Sequence, residues 1–323
     1  MSQSENLHAI ILASGEDHAL RSLSEALGGV DLPKQFASIA AGGSLLQQTV
    51  MRYAGLVPPE RTVVLVEAAH QEVARAQLRR WPGIEIITRP AECGAGLDLL
   101  LPLGRVFSRS PDARVLVTPA DHHVPHPEAL VDAVVAANHA LDQAAVILVG
   151  VAGGHQRSKH GWIIPGQPLD GRIAAVAHLA EGVSPVLAAE LTAAGALWNT
   201  STVVGRAEHL WYLAALQLPM QAEAVARLWA GKGSLANAAA TACLMPDVEL
   251  NGALLRGAKN LATIAVRGSG WTEWTSPEQM MDSIEDPREL ELLLSRILLH
   301  QRNIGRTELR PRFPTISRHA SAA

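Results

Sequence analysis

The carboxyl end of the first apolar segment carries residue types suited to binding phosphate. Residues 9–13 are apolar and β-branched at two positions, which is typical of a buried parallel strand, and Ser14 and Gly15 follow directly. Turns of this kind present backbone N–H groups to phosphate in α/β proteins. The sequence therefore predicts a nucleotide-binding segment that comprises Leu12, Ala13, Ser14 and Gly15.

A second candidate site follows a later apolar segment, residues 114–118. Asp121 comes soon after this segment, and His122, His123 and His126 come next. Carboxylate and imidazole groups are ligands of zinc and iron, so one interpretation is a metal cluster. The other is that Asp121 caps the turn that follows, while His126 lies at the start of a helix.

An alternation of strands and helices is required to position these loops. Short apolar strands separated by amphipathic helices pair in parallel through right-handed crossovers, and such sheets bind ligands beyond the carboxyl ends of their strands. We therefore predict an α/β fold with a mostly parallel, doubly wound sheet. Ser44 and Gln47 form a capping-box pattern, which predicts the start of the first full helix. The predicted strands cover residues 9–13, 62–67, 84–88, 114–118 and 145–151, and the predicted helices cover residues 44–54, 69–80, 95–107 and 127–141.

The second half of the chain is less regular. A last amphipathic helix is predicted over residues 288–301, because leucines recur on one face, and the tail behind it lacks periodicity. We therefore divide the chain into a main domain of residues 1–283, a helical segment of residues 284–301 and a disordered tail of residues 302–323. Further strands are predicted at residues 160–164, 174–179, 200–204 and 262–266, and further helices at residues 185–194 and 221–229.

The composition excludes several classes of protein. With 323 residues, of which 48% are hydrophobic, the chain can form a large core and is not disordered as a whole. A net charge of −4 and an aromatic content of 4% are unsuited to binding nucleic acid. The cysteines lie far apart and the polar first residues lack a signal-peptide pattern, which predicts a cytoplasmic protein with free thiols. No apolar run approaches the roughly 20 residues that cross a bilayer.

Six short motifs follow one another along the chain. They are Pro33-Lys34-Gln35-Phe36, Ser44-Leu45-Leu46-Gln47, Pro119-Ala120-Asp121-His122, Gly161-Trp162-Ile163, Leu197-Trp198-Asn199 and Gly270-Trp271. Their order and approximate spacing resemble those of the mannose-1-phosphate guanylyltransferases, a family of sugar-nucleotide pyrophosphorylases, over residues 7–283. The resemblance implies the Rossmann-like fold of nucleotide-diphospho-sugar transferases. It also implies a cytoplasmic enzyme that uses Mg²⁺ and joins GTP to mannose 1-phosphate, giving GDP-mannose and pyrophosphate.

The resemblance also implies roles for individual residues. Lys34 and Asp121 are the implied catalytic residues, the lysine as a source of positive charge for the phosphates and the aspartate as a ligand of Mg²⁺. Asp121 and Gly94 are further implied nucleotide contacts. Glu273 is the implied second metal ligand, in a place where the family prefers aspartate, and the alternative is that it is an exposed loop carboxylate. The implied sugar contacts are Gly161 and Asn199.

Other positions depart from the family pattern. Ala19 and Cys93 stand where the family has arginine, Glu181 stands where it has a sugar-phosphate lysine, and Asp17 replaces a glycine of the phosphate loop. Arg21 is a candidate for supplying one of the lost charges. Two hypotheses therefore stay open: an active nucleotidyltransferase of altered specificity, or a pseudoenzyme that binds a nucleotide sugar or a regulatory partner without chemistry. The last helix is a candidate contact with a second copy of the chain or with a partner protein.

Overall fold

The structure is a computed structural model in which strands and helices alternate along most of the chain. It describes residues 6–15, 20–21, 24–25, 31–38, 42–90, 96–153, 161–243, 255 and 258–304. The strands are β1 (Leu7–Ala13), β2 (Thr62–Glu67), β3 (Glu85–Arg89), β4 (Arg114–Pro119), β5 (His122–His123), β6 (Val146–Val151), β7 (Trp162–Asp170), β8 (Ile173–Ala180), β9 (Leu197–Arg206), β10 (Leu261–Val266) and β11 (Thr272–Glu273). The α-helices are α1 (Leu45–Tyr53), α2 (Gln71–Leu78), α3 (Gly96–Arg109), α4 (Glu128–His139), α5 (Pro185–Ala193), α6 (Ala207–Gln217), α7 (Pro219–Trp229), α8 (Leu235–Cys243), α9 (Pro277–Ser283) and α10 (Pro287–Ile304).

The strand order of the main sheet brings several loops to one edge. Among the described residues the order is β3-β2-β1-β4-β9-β6-β10-β8-β7. Strand β1 pairs in parallel with β2 and β4, β2 pairs in parallel with β3, and β6 pairs in parallel with β10. Strand β9 is antiparallel to both β4 and β6. The predicted α/β fold with a mostly parallel sheet is confirmed, and the carboxyl ends of β1 to β4 and β6 share the edge where such sheets bind ligands.

Both faces of the sheet are covered, as the apolar character of β1 requires. Ile10 packs in one core cluster with Leu100 of α3, whereas its neighbour Ala9 packs in another with Val134 of α4. Side chains alternate across a strand, so consecutive apolar residues fill two layers. The strand interior is thereby closed to solvent, and the loop behind its carboxyl end remains for ligands.

Helix α1 begins at the predicted capping box. The Ser44 Oγ atom accepts a hydrogen bond from the backbone N–H of Gln47 at 3.2 Å, and Gln47 Oε1 accepts one from the Ser44 N–H at 3.0 Å. These bonds satisfy two N–H groups that a helix start leaves unpaired. The Gln47 side-chain amide also donates to the Gln77 carbonyl at 2.9 Å, which ties α1 to α2.

Replacing the capping serine is expected to destabilise the fold without touching the site. The Ser44→Ala variant loses an N-cap acceptor and is expected to lower the free energy of unfolding by about 1 to 2 kcal/mol. Urea unfolding measures the difference. Ser295→Ala, on an exposed part of α10, is the matched control and should change stability by less than about 0.5 kcal/mol. Equal stabilities of the two variants would contradict the assignment of the cap.

The last helix packs on the domain through its apolar face. Leu293 is buried, and Leu290 and Ile297 pack against the same cluster, which includes Trp274 and Leu45. The helix spans Pro287–Ile304, so it is slightly longer than predicted, and residues 305–323 of the predicted tail lie outside the described residues. The division into a domain, a helical segment and a tail stays a prediction. No helix in the described ranges has the length and apolar character needed to cross a membrane.

Candidate nucleotide-binding site

Lys34 lies between two carboxylates at the carboxyl edge of the sheet. It belongs to a single 3-10 turn, Lys34–Phe36, while Asp121 follows β4 and Glu273 belongs to β11. The Lys34 Nζ atom is 3.1 Å from Asp121 Oδ2 and 3.1 Å from Glu273 Oε1, and it donates to the Trp274 carbonyl at 3.2 Å. Three predicted site residues that are far apart in the sequence therefore meet at one nitrogen atom.

A short strand pair explains why Glu273 reaches Asp121. Strand β11 is antiparallel to β5, and Glu273 lies opposite His122, the residue after Asp121. The side chain of Glu273 is 10% exposed, so the alternative of an exposed loop carboxylate is wrong. Lys34 is only 2% exposed. An ammonium group is costly to bury unless it is paired, and here two carboxylates supply the pairing.

The chemistry of this donor set suits a divalent cation of the Mg²⁺ type. Mg²⁺ prefers hard oxygen ligands and is commonly held by one or two carboxylates together with substrate phosphates. Asp121 and Glu273 supply two such carboxylates, one of them partly exposed. Within the described ranges, no three His, Cys, Asp or Glu side chains form a metal-binding group. Asp121 and Glu273 are therefore the carboxylates that could hold such a cation, and in this structure both contact the Lys34 ammonium group.

Gln35, the neighbour of Lys34, holds the start of the predicted phosphate loop. Its side-chain amide donates to the carbonyl oxygens of Ala13 at 3.0 Å and Gly15 at 2.7 Å. Gln35 is buried, as are Ala13 and Ser14, while Leu12 is half-buried. These hydrogen bonds therefore hold the Lys34–Phe36 turn against the carboxyl end of β1. The sequence pattern does not predict this contact, although the position of Gln35 beside Lys34 in the first motif is a usable signal.

A buried ion network lies beside the same loop and was also missed. Arg89, at the end of β3, pairs with Glu67 at the end of β2 (2.6 Å) and with Asp98 in the first turn of α3 (2.5 Å). Its guanidinium group donates to the Ser14 carbonyl at 3.3 Å, and Ser14 Oγ donates to Asp98 at 2.5 Å. Glu67 and Arg89 are register partners in adjacent strands. A second cation therefore lies near the phosphate loop, but two carboxylates share its charge.

Some predicted positions cannot be assigned a place in this site. Gly94, Cys93, Ala19 and Asp17 lie outside the described residues. Arg21, the candidate for a replacement charge, pairs with Asp31 at 3.3 Å. Its guanidinium group is therefore engaged by a carboxylate, as that of Arg89 is.

The two predicted sugar contacts are brought together by the backbone. The Asn199 N–H donates to the Gly161 carbonyl at 2.9 Å. A Cβ atom on Gly161 would lie 3.1 Å from the Glu181 Cγ atom and 3.2 Å from the Ala180 carbonyl, so a side chain here would require these neighbours to shift by a few tenths of an ångström. Glu181 therefore lies beside Gly161, where the family resemblance implies a lysine.

A bulge in β9 sets the orientation of Asn199. The register with β6 shifts between Val149 and Gly150, and Ser201 has a positive φ of 54°. The Asn199 Oδ1 atom accepts a hydrogen bond from the Ser201 N–H at 3.0 Å, which stabilises the bulge locally. The side-chain oxygen of Asn199 thus has a structural partner in this structure.

The histidines after Asp121 face different partners, which argues against the metal-cluster interpretation. His122 packs edge-on against Trp271 with ring centroids 5.0 Å apart, and its Nε2 atom lies 3.7 Å from Asp121 Oδ1. His123 stacks on Trp274 at 4.7 Å, and His126 pairs with Glu285 at 3.1 Å. The rings of His122 and His123 are buried and support the flank of the β5 and β11 pair.

His123 makes the stability of the fold depend on pH. Burial, and secondarily the positive charge of Arg52, lower the pKa of His123 from 6.5 to about 4. The folded-state pKa lies below the unfolded value, so the unfolded chain binds more protons between these pH values. The neutral ring therefore favours folding above pH 6.5, and this contribution is lost as the pH falls toward 4.

Removing this titration is expected to flatten the pH dependence of unfolding. The wild type is expected to lose about 2 to 3 kcal/mol through this group between about pH 7 and about pH 4.5. His123→Phe keeps an aromatic ring on Trp274 and removes the titrating group. Urea unfolding of both proteins at the two pH values compares the losses. An identical loss in wild type and variant would show that His123 does not titrate in this way.

Comparison with known proteins gives the class of the chain. No family model matches it. The chain is 27% identical over 170 residues to mannose-1-phosphate guanylyltransferase 2 of Escherichia coli O157:H7, a match that covers 50% of this chain and 34% of that protein. The crystal structure of mannose-1-phosphate geranyltransferase from Thermus thermophilus superimposes with a TM-score of 0.74 and 26% identity, covering 87% of this chain and 80% of that one. The inositol-1-phosphate CTP transferase of T. maritima has a TM-score of 0.57 at 16% identity, covering 91% and 96%, and supports the fold alone.

The sheet order, the site at its carboxyl edge and these likenesses define a nucleotidyltransferase fold of the nucleotide-diphospho-sugar transferase type. The matches to these curated relatives cover 32% to 41% of the relatives' length, so the chain spans less than half of each of them. Within those limits the resemblance drawn from the motifs is confirmed. The chain is a divergent relative of the mannose-1-phosphate guanylyltransferases.

Proposed function

We propose that this chain is a metal-dependent nucleotidyltransferase that joins a nucleoside triphosphate to a sugar 1-phosphate, with GTP and mannose 1-phosphate as the first candidates. The observation that carries the proposal is the meeting of Lys34, Asp121 and Glu273 at the carboxyl edge of the sheet. A structural ion pair alone would not require residues from three distant motifs at the ligand-binding edge. The proposal also draws on the names of the relatives.

The proposed reaction needs positive charge and placement more than covalent catalysis. An oxygen of the sugar phosphate forms a bond to the α-phosphorus, and the bond from that phosphorus to the bridging oxygen of pyrophosphate breaks. A divalent cation on Asp121 and Glu273 would supply charge to the phosphates when bound. Lys34 stabilises developing negative charge, and Ser14 and Gly15 offer backbone groups at the end of β1.

On the sugar side, Gly161 and Asn199 bound the proposed pocket. The glycine leaves room near Glu181, whose carboxylate is an acceptor for sugar hydroxyl groups and repels a phosphate. Glu181, in the place where the resemblance implies a lysine, is therefore expected to weaken the binding of the sugar phosphate.

A second candidate function is binding of a nucleotide sugar without turnover. The Arg89 network favours it, because the cation beside the phosphate loop is already paired with Glu67 and Asp98 and is 7% exposed. A guanidinium group that is already paired with two carboxylates contributes less to the binding of a triphosphate than an unpaired guanidinium group would. The retained Lys34 cluster is then a binding element for a diphosphate.

Calorimetry with the full chain separates the two candidates. GTP, the other nucleoside triphosphates and GDP-mannose are titrated separately, each with and without Mg²⁺. Binding of a triphosphate that strengthens with Mg²⁺ supports the enzyme, whereas binding of GDP-mannose alone supports the second function. The absence of binding to every one of these ligands would overturn both.

A further inference from the structure

The position of Lys34 has a consequence for how the two carboxylates accept a cation. Its ammonium group lies 3.1 Å from an oxygen of each carboxylate, and the Trp274 carbonyl is a third acceptor at 3.2 Å. A divalent cation on Asp121 and Glu273 would need those oxygens at about 2.0 to 2.1 Å. An ammonium group and a divalent cation repel each other, so both cannot be held tightly there.

We propose that Lys34 is a tethered cation that competes with a divalent metal ion for Asp121 and Glu273. In this structure the Lys34 ammonium group pairs with both carboxylates. When a metal ion binds them, Lys34 leaves them and becomes available to a phosphate of the substrate. Metal binding and the positioning of Lys34 are thereby one coupled event.

The local structure fits this exchange. A lysine ammonium is a compact charge on a flexible stem, so it can leave two carboxylates without movement of the backbone. The backbone of the Lys34–Phe36 turn is anchored independently, because the Gln35 amide holds the carbonyls of Ala13 and Gly15. The Asp121 side chain is 27% exposed, which leaves a solvent-facing side through which an ion can enter.

The first test measures metal binding without nucleotide. Mn²⁺ is titrated into wild type and Lys34→Met, and free Mn²⁺ is followed by electron paramagnetic resonance. Loss of the competing charge is expected to tighten Mn²⁺ binding by about tenfold or more. The control is the double variant with Lys34→Met and Asp121→Asn, which should lose this gain. Equal or weaker Mn²⁺ binding by Lys34→Met would overturn the proposal.

The second test uses the wild-type chain, so it does not depend on the folding of a variant. Lysine side chains are acetylated briefly with and without saturating Mg²⁺, and the modified positions are quantified by mass spectrometry. Lys34 is buried and should react slowly without metal, and severalfold faster with it. Exposed Lys232 is the internal control and should react equally in both conditions. Unchanged or slower labelling of Lys34 with Mg²⁺ would contradict the exchange.

This inference rests on the proposed site but not on turnover. Both tests omit nucleotide and sugar, so a chain that lacks transferase activity can still show the exchange. Conversely, an active enzyme with no effect of Lys34→Met on Mn²⁺ binding would retain the proposed function and lose this inference.

Discussion

Lys34→Met is expected to lower the rate of pyrophosphate release by about a hundredfold to a thousandfold, because it removes a preorganised charge from the proposed reaction. The same change leaves Asp121 and Glu273 near each other without their common cation. Loss of one partner from a buried ionic cluster costs about 3 to 5 kcal/mol, so the variant should also unfold more readily. Initial rates with GTP, mannose 1-phosphate and Mg²⁺ measure the first effect, and urea unfolding without metal measures the second.

The matched control is Lys232→Met, which replaces an exposed lysine and should match the wild type in both assays. A Lys34→Met variant with the wild-type rate would remove the lysine from the proposed machinery. A reduced rate with unchanged stability would instead mean that the ion pairs contribute little to folding.

Arg89→Met is expected to produce a large loss of stability. The guanidinium group lies between Glu67 and Asp98, and its removal leaves a buried and a half-buried carboxylate without their shared cation. A loss of about 3 to 5 kcal/mol follows from the cost of leaving charge buried and unpaired. Thermal or urea unfolding gives the difference, with the exposed Arg79→Met as the control.

A triple variant separates the loss of charge from the loss of packing at this network. In the triple variant Arg89→Met is combined with Glu67→Gln and Asp98→Asn, which removes the uncompensated negative charges. It should recover a substantial part of the stability that the single variant loses. If the triple variant were less stable than Arg89→Met, electrostatic pairing would not be the main role of Arg89.

The sequence predicted the parallel part of the sheet well, since its signals are local. Strand β2, Thr62–Glu67, has the predicted bounds, and the capping box at Ser44 sets the start of α1. These elements are specified by a short apolar run and by two side chains of neighbouring residues. The predicted fold class followed because alternating strands and helices have few ways to pair.

Features that depend on distant pairing were not predictable in the same way. The sequence of an apolar strand such as β9 does not reveal the direction in which the strand runs in the sheet. Strand β9 lies between β4 and β6 and is antiparallel to both, and this arrangement depends on pairing with residues that are distant in the sequence. The bulge at Ser201 likewise has no clear sequence pattern. Helix α6 was missed because Leu210 is buried while Tyr212 and Leu216 are exposed, so its apolar residues do not form one stripe.

The part of the candidate site that lies in or beside the sequence motifs was predictable, whereas ion pairs between residues outside the motifs were not. The motifs placed Lys34, Asp121 and Glu273 in one site, and the structure brings their charged groups together. The role of Arg89 depends on two carboxylates in other segments, and no spacing rule connects them. Burial of charged residues at the ends of β2 and β3 is visible only after the sheet is assembled.

The most direct test of the account is pyrophosphate release by the full chain and by Asp121→Asn, with GTP, mannose 1-phosphate and Mg²⁺ supplied together and singly. The account predicts release by the wild type only when all three are present. It also predicts a loss of at least about a hundredfold in Asp121→Asn, since the removed carboxylate contacts both Lys34 and the proposed metal position. The absence of release by the wild type with any nucleoside triphosphate, or equal release by the variant, would contradict the proposed transferase site.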